Sequence, residues 1–366
     1  MGLFKLAEKK ISEPERFAEI NSVFPYRTAL ALIIFSAFTV IIIVYVKSGV
    51  TILPWIMNPP FGDIISITWG IDCIRAGYDP YTFNAFDPWL RFFNYPKIWL
   101  TIFDFLNLNK EATNYIGIIL AGLYGIATIF LFNLKKLVHF LFVMLIVLSP
   151  PVFLLLERGN SDIIIYLLVA GSIYYLRKSS SVNENIRLHL IYLVILFAAI
   201  LKLYPVFLLP ILLYEKASVR NQLVIGIYSS VILMIYFLIN YNDFMMISKN
   251  TPRPEDALSF GKNVGLNHIF SSGSLALVSN SIVVLLLAAA SYCCFRFKDQ
   301  LNKIIPVSPN DKSKIYLFLA GAFLYAGTFF IGNNYDYRLV FVIFMIPFLI
   351  DIFDHAGKKA RTMSLF

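Results

Sequence analysis

Four short polar stretches interrupt long apolar runs in this chain, and each carries a residue that can handle a proton or an anion. The densest is Asn58-Pro59-Pro60-Phe61-Gly62-Asp63-Ile64-Ile65-Ser66, continuing through Trp69, Asp72 and Arg75 to Gly77-Tyr78-Asp79-Pro80-Tyr81. Asp63 follows a Pro-Pro/Gly break and opens a helical stretch to about Ala76. A carboxylate there can cap the helix, the commoner use of Asp at such a place, or take a proton from a substrate hydroxyl. Asp72 reads as solvated or paired with Arg75. Asp79-Pro80-Tyr81 reads first as a turn, because Pro fixes φ and Asp caps turns.

The second stretch is Glu157-Arg158-Gly159-Asn160-Ser161-Asp162, with Pro150-Pro151 just upstream. It can simply cap the helix that follows. Yet a charged Arg at a membrane boundary is costly unless paired, and such residues are functional candidates. Third comes Lys202, inside Ala199-Ile200-Leu201-Lys202-Leu203-Tyr204-Pro205. It either snorkels toward water or supplies a cation for a phosphate. Arg338, after Tyr335-Asp336-Tyr337, poses the same choice, and its planar guanidinium is the better phosphate fork. A further loop, 240–276, holds Pro252-Arg253-Pro254-Glu255-Asp256 and Gly261-Lys262-Asn263. It is either a linker or the cover of a site.

The elements that must position these residues are set by composition. The chain has 366 residues, 58% hydrophobic and 14% charged, with mean hydropathy +0.72. Soluble domains run at about 45–50% apolar and ~25% charged, so this is an all-α polytopic membrane protein by composition. Three cysteines, two of them adjacent, exclude a disulfide framework. Apolar runs fall at 27–47, 113–132, 137–156, 162–176, 187–201, 204–214, 220–239, 277–295, 314–332 and 338–353, which predicts about ten crossings. The 204–214 run is short and forms one arm of a bent pair with 187–201. Residues 97–108, interrupted by Asp104, read as re-entrant or interfacial.

Residues 1–26 are polar and mixed in charge, so they read as a cytoplasmic interfacial segment rather than a cleaved signal. Leu6 stands where a myristoylation motif needs Ser or Thr. Residues 27–353 form one transmembrane unit with external loops 48–112 and 240–276 and external juxtamembrane helices, and 354–366 a cytoplasmic tail. With both termini inside, the cytoplasmic segments hold 20 of the 31 basic residues, as short loops inside the membrane should. All four polar stretches then fall on the extracytoplasmic face.

Several chemistries are excluded. There is no dinucleotide or P-loop signature, no Cys/His pairing at zinc spacing, no G-x-S-x-G elbow and no Asp-x-Asp. The cations flank apolar anchors in short clusters, which is not a nucleic-acid surface. Acid–base or anion chemistry at the outer face remains.

Taken together, Asp63, Gly77 to Tyr81, Tyr95-Pro96, Ser149 to Asn160, Lys202 to Pro205 and Tyr337-Arg338 resemble, in order and sidedness, the polyprenyl-phosphate-sugar-dependent glycosyltransferases of the GT-C superfamily. The nearest likeness is to its mannosyltransferase-like group. That group commonly has Gly-Gln before its Asn, where this chain has Arg158-Gly159, and often a second Pro where Lys97 follows Pro96. The resemblance implies inverting transfer of a mannose-like hexose or pentose to a lipid- or glycan-linked acceptor. Asp63 would be the general base, and Lys202, Arg338 and Arg158 would hold the donor phosphate. Asn160, Tyr204, Lys262, Asn263, Asp79 and Tyr81 would contact donor or acceptor sugar. It also implies no metal and no cofactor, a monomer in a bacterial or archaeal cytoplasmic membrane, and lipid rather than nucleic acid as partner. The rivals are a flippase or transporter of lipid-linked sugars and an O-antigen-type polymerase. Transporters usually show repeats and midplane sites, and no repeat is visible here.

The charge asymmetry makes the sidedness testable. Single cysteines near Asp63 and Lys262 should react with an impermeant maleimide in intact cells, and those near Lys178 and Lys298 only after permeabilisation. Labelling near Lys178 in intact cells would overturn the topology.

Overall fold

Proline, glycine and buried charge decide where the helices of this protein stop. The computed structural model describes residues 26–37, 39–40, 59–132, 134–177, 184–214, 218–252, 259–261, 281, 312–331 and 334–363. Its helices are α1 (Tyr26–Ala37), α2 (Gly62–Arg75), α3 (Ile98–Phe105), α4 (Thr113–Leu131), α5 (Leu137–Val147), α6 (Pro150–Glu157) and α7 (Asp162–Arg177). They continue with α8 (Glu184–Leu201), α9 (Val219–Ile239), α10 (Tyr241–Asn250), α11 (Lys312–Ile331) and α12 (Ile346–Met363). Tighter 3-10 segments run over Tyr204–Tyr214 and Asp336–Met345. One small antiparallel ladder joins β1 (Ser259–Phe260) to β2 (Asn334–Tyr335), with Ser259 opposite Tyr335.

The protein is mostly helical, and among the described residues three helices are long and apolar enough to cross a membrane: Lys110–Leu131, Val219–Ile239 and Ser313–Phe330. A fourth joins them if the bent pair α5 and α6 counts as one span. Residues 137–156, expected as one apolar run, are broken in the middle: the two helices meet at 48°. Pro150 and Pro151 occupy the first positions of α6. Proline suits a helix start, where its missing N–H is not needed, but it cannot continue the helix before it. After the 187–201 run, α8 gives way at Lys202 to a 3-10 segment, Tyr204–Tyr214, that contains Pro210. Within 97–108 the helix α3 has eight residues. At 1.5 Å per residue it is about 12 Å long, far short of a ~30 Å hydrocarbon layer. The run 277–295 and most of 38–47 lie outside the described residues.

The centre of the molecule is aromatic. Tyr166 of α7 stacks on Phe344 with ring centroids 4.6 Å apart and lies 4.9 Å from Tyr124 of α4. Its hydroxyl is 3.0 Å from that of Thr128. Trp99 of α3 donates from Nε1 to the carbonyl of Leu201 at 2.9 Å, pinning the short helix to the end of α8.

The join between α2 and α6 matters most for the site. A helix start leaves N–H groups without partners, and a helix end leaves carbonyls without partners. Here the two sets meet. Phe61 N–H donates to Glu157 O at 2.7 Å, and Asp63 N–H donates to Arg158 O at 2.9 Å. The docking forces Phe61 into the left-handed region at φ 61°, a conformation costing a bulky residue about 1–3 kcal/mol. Its side chain is held against two glycines. A Cβ on Gly117 would fall 2.5 Å from the Phe61 ring, and one on Gly159 3.1 Å from Phe61 Cβ.

Gly117→Ala should therefore lower stability by about 1–3 kcal/mol through overpacking. Gly122 on the same helix has nothing within 4 Å of an added Cβ, so Gly122→Ala should cost nothing. Thermal unfolding of both variants in detergent reads the difference, and equal melting temperatures would mean that Phe61 gives way freely.

Candidate functional site

The four polar stretches converge on one cavity. It has a volume of about 230 Å³, and its wall includes Asp63, Tyr95, Arg158, Lys202, Tyr204, Tyr337 and Arg338. Each comes from a place where regular structure begins, breaks or changes type. Asp63 lies in the first turn of α2, Arg158 at the end of α6, Lys202 just past α8 and Arg338 in the second 3-10 segment. Helix interiors satisfy their own backbone, so charged side chains gather where the ladder is interrupted.

Asp63 is buried, 4% exposed. Arg158 grips its carboxylate with both arms, Nε donating to Oδ2 at 2.9 Å and Nη2 to Oδ1 at 2.8 Å. Asn160 donates to Oδ2 at 2.5 Å, and Arg91 stands 4.0 Å from Oδ1. Arg91 is itself clamped by Asp87 at 2.9 Å and donates to Gly62 O at 2.6 Å. Burial pushes the Asp63 carboxyl up. The charge and hydrogen bonds of Arg158, followed by Arg91 and Asn160, more than offset this and hold it below the usual range. The guanidinium of Arg158 in turn lies over the faces of Tyr335 and Tyr337, at 5.1 and 5.7 Å.

The second half of the site is built on Asp162, whose side chain is fully buried. Lys202 donates to its Oδ1, and Tyr204 donates to the same oxygen at 2.9 Å. Arg338 Nε lies 3.5 Å from Oδ2, an ion pair without a formed hydrogen bond. Asn160 joins the halves. Its amide nitrogen serves Asp63, and its oxygen accepts from Lys202 at 2.9 Å and from the Asp162 N–H at 2.8 Å. Two carboxylates thus face Arg158, Lys202 and Arg338, which leaves one positive charge in surplus. Tyr95 and Tyr204 back the cations, lying 5.4 Å from Lys202 Nζ and 5.0 Å from Arg338 Cζ.

Five of the residues expected at the site line this cavity together: Asp63, Arg158, Lys202, Tyr204 and Arg338. Asp63 is not the helix cap. Phe61 takes the N-cap position with no side-chain bond, leaving the Asp63 carboxylate for Arg158. Asn160 is fully buried, bonded inside the network, and not on the cavity wall. Asp79 accepts from the Tyr81 N–H at 3.0 Å, the turn expected of Asp-Pro-Tyr. Tyr81 is buried and donates to Tyr95 O at 2.8 Å, so neither residue is on the cavity wall. Arg75 pairs with Asp104 at 2.8 Å rather than with Asp72. Lys262 and Asn263 lie outside the described residues. Sequence reasoning missed Asp162, Tyr95, Tyr337 and Arg91 as site residues. Asp162 shares a polar stretch with Arg158, but its partners are 40 and 176 positions away along the chain, which no spacing rule signals. Among the described residues no group of three His, Cys, Asp or Glu is placed to hold a metal ion.

The Asp63–Arg158 pair ties stability to pH with a predictable sign. In the parent, Asp63 is held below its unfolded value of about 3.9. Its stabilisation is complete above that value and is lost as pH falls through the native one. In Arg158→Gln, burial should dominate and raise the native value, so this contribution should fall as pH rises above ~4. The cost at neutral pH should be about 3–5 kcal/mol, as for a buried pair with one partner removed. Denaturant unfolding at several pH values checks it, and parallel pH curves for parent and variant would refute the assignment. No protein-family model, curated protein or solved structure matches this chain.

Proposed function

We propose that the protein is a membrane glycosyltransferase that takes its sugar from a polyprenyl-phosphate donor at the extracytoplasmic face of a cytoplasmic membrane. In this reading the chain crosses about ten times with both termini inside. The observation that supports it best is the surplus cation in an aromatic-walled cavity beside a buried carboxylate. A phosphate leaving group needs a preorganised positive charge, and a carboxylate can remove the acceptor proton.

The charge pairing divides the labour. Arg158 is neutralised by Asp63, so the phosphate falls mainly to Arg338 and Lys202. Inverting transfer then has the acceptor oxygen attack the anomeric carbon as the bond to the phosphate oxygen breaks. The leaving phosphate keeps the bonding electrons, and Asp63 receives the acceptor proton. Asp63 is a weak base in this setting, so the proton moves late, as the oxygen acquires positive charge.

One observation favours the second reading, a carrier of lipid-linked sugars. Both carboxylates are committed to ion pairs, which suits a site that binds without reacting. Incubation with a radiolabelled polyprenyl-phosphate sugar and candidate acceptors separates the two: the enzyme makes product, and the carrier only moves its cargo across vesicles. Arg338→Gln should weaken donor binding by about 10- to 150-fold, the worth of a charge-assisted contact of ~1.5–3 kcal/mol. Asp63→Asn alone strands Arg158, so its effect is read on an Arg158→Gln background. There it should lower turnover by about 10²–10⁴-fold and leave donor binding intact. Undiminished turnover in the double variant would remove Asp63 as the base.

A further inference from the structure

We propose that Asp162, which is not on the cavity wall, is the positioning residue that sets Lys202, Tyr204 and Arg338 as one anion-binding array. The assignment rests on the reading of the cavity as a phosphate site and names what holds that site in shape. Three side chains, Lys202 from the turn after α8 and Tyr204 and Arg338 from the two 3-10 segments, converge on this one carboxylate. Lys202 and Tyr204 share Oδ1, and Arg338 faces Oδ2 at 3.5 Å. Asp162 is fully buried and Lys202 only 8% exposed.

The geometry spends the donors unevenly. An ammonium has three N–H groups. Asp162 and Asn160 take two from Lys202, and the amine lies over the Tyr95 ring on the cavity wall. One donor is therefore left for a ligand. Arg338 is braced by Asn334 through Nη1 and backed by the Tyr204 ring. Its Nε, held toward Asp162 without a formed bond, leaves the rest of the fork to the cavity. Without Asp162, Lys202 would lose its bonded counter-ion and keep only Asp63, across Asn160, in a buried place where the charged form of an amine is disfavoured.

The test uses a prenyl methyl phosphate diester in detergent, a probe that is singly charged at every pH used. Calorimetric titration of the parent should give an affinity that is flat from pH ~6 to ~8. Asp162→Asn should bind nearly as well at the acidic end and lose roughly tenfold or more toward the alkaline end, as the stranded amine gives up its proton. Asp162→Asn/Lys202→Arg should bind independently of pH again, because a guanidinium stays charged when buried. A uniform loss in Asp162→Asn at all pH values, or no restoration by arginine, would overturn the positioning role. If Asp162→Asn does not fold, ¹⁵N-lysine NMR of the parent, assigned with Lys202→Arg, decides instead. Lys202 should be charged at pH ~7.5, and a neutral amine with Asp162 in place would overturn the proposal. A parent that binds no diester at any pH would sink the phosphate reading itself, a result distinct from either failure of Asp162.

Discussion

The site depends on one helix starting at the end of another. The first N–H groups of α2 have nowhere to go within their own helix, and the last carbonyls of α6 have the same difficulty. By meeting, they satisfy each other and bring Asp63 within reach of Arg158, 95 positions away in sequence. Phe61 bears the strain of that meeting. Its ring fills the space a side chain on Gly117 would need, while at Gly159 the Ile64 side chain and Phe61 Cβ crowd a backbone already at φ 56°. The ion pair follows from the backbone contact. Arg158 is placed by the carbonyl end of α6 and Asp63 by the amide end of α2, so neither side chain has to search.

Burying five charges together is costly unless each is bonded, and this constraint explains why the cluster is so densely cross-linked. Asn160 is the element that makes it continuous. An amide can donate to one carboxylate and accept from an ammonium at the same time, and no charged residue of that size can do both. Placed between Asp63 and Lys202, it lets two ion pairs of opposite orientation share one wall of the cavity. The tyrosines complete the arrangement. Their faces take the sides of the guanidinium groups and the amine that carboxylates leave open.

Much of this was legible in the sequence. Polar stretches wedged between apolar runs announced Asp63, Arg158, Lys202 and Arg338, because a charge in such a place needs a reason. The break in helix at Lys202 and the short helix near Asp104 followed from run length and proline. What could not be read was pairing. Arg75 had Asp72 three positions away on the same helix and chose Asp104 across a loop. Asp63 looked like a cap and instead pairs with Arg158, because Phe61 and the end of α6 had already satisfied the backbone it would have capped. Periodicity and turn chemistry speak of neighbours along the chain, whereas Asp162, Lys202 and Arg338 meet through the packing of α7, α8 and the second 3-10 segment. The 48° break at Pro150 was hidden for the opposite reason: the apolar run is continuous across it, and composition does not register a change of direction.

The unmatched positive charge has a thermodynamic side as well. A fold that encloses one more cation than carboxylate is more stable with an anion in the cavity than without one. Any solvent anion small enough to enter will add to the stability of the native state by mass action, about 1.4 kcal/mol for each tenfold rise in its concentration beyond its dissociation constant. Such a dependence on salt is chemical and local, set by the identity of the anion rather than by ionic strength. Chloride, sulfate and phosphate buffers at equal ionic strength would then give three different stabilities, each set by that anion's own affinity for the cavity.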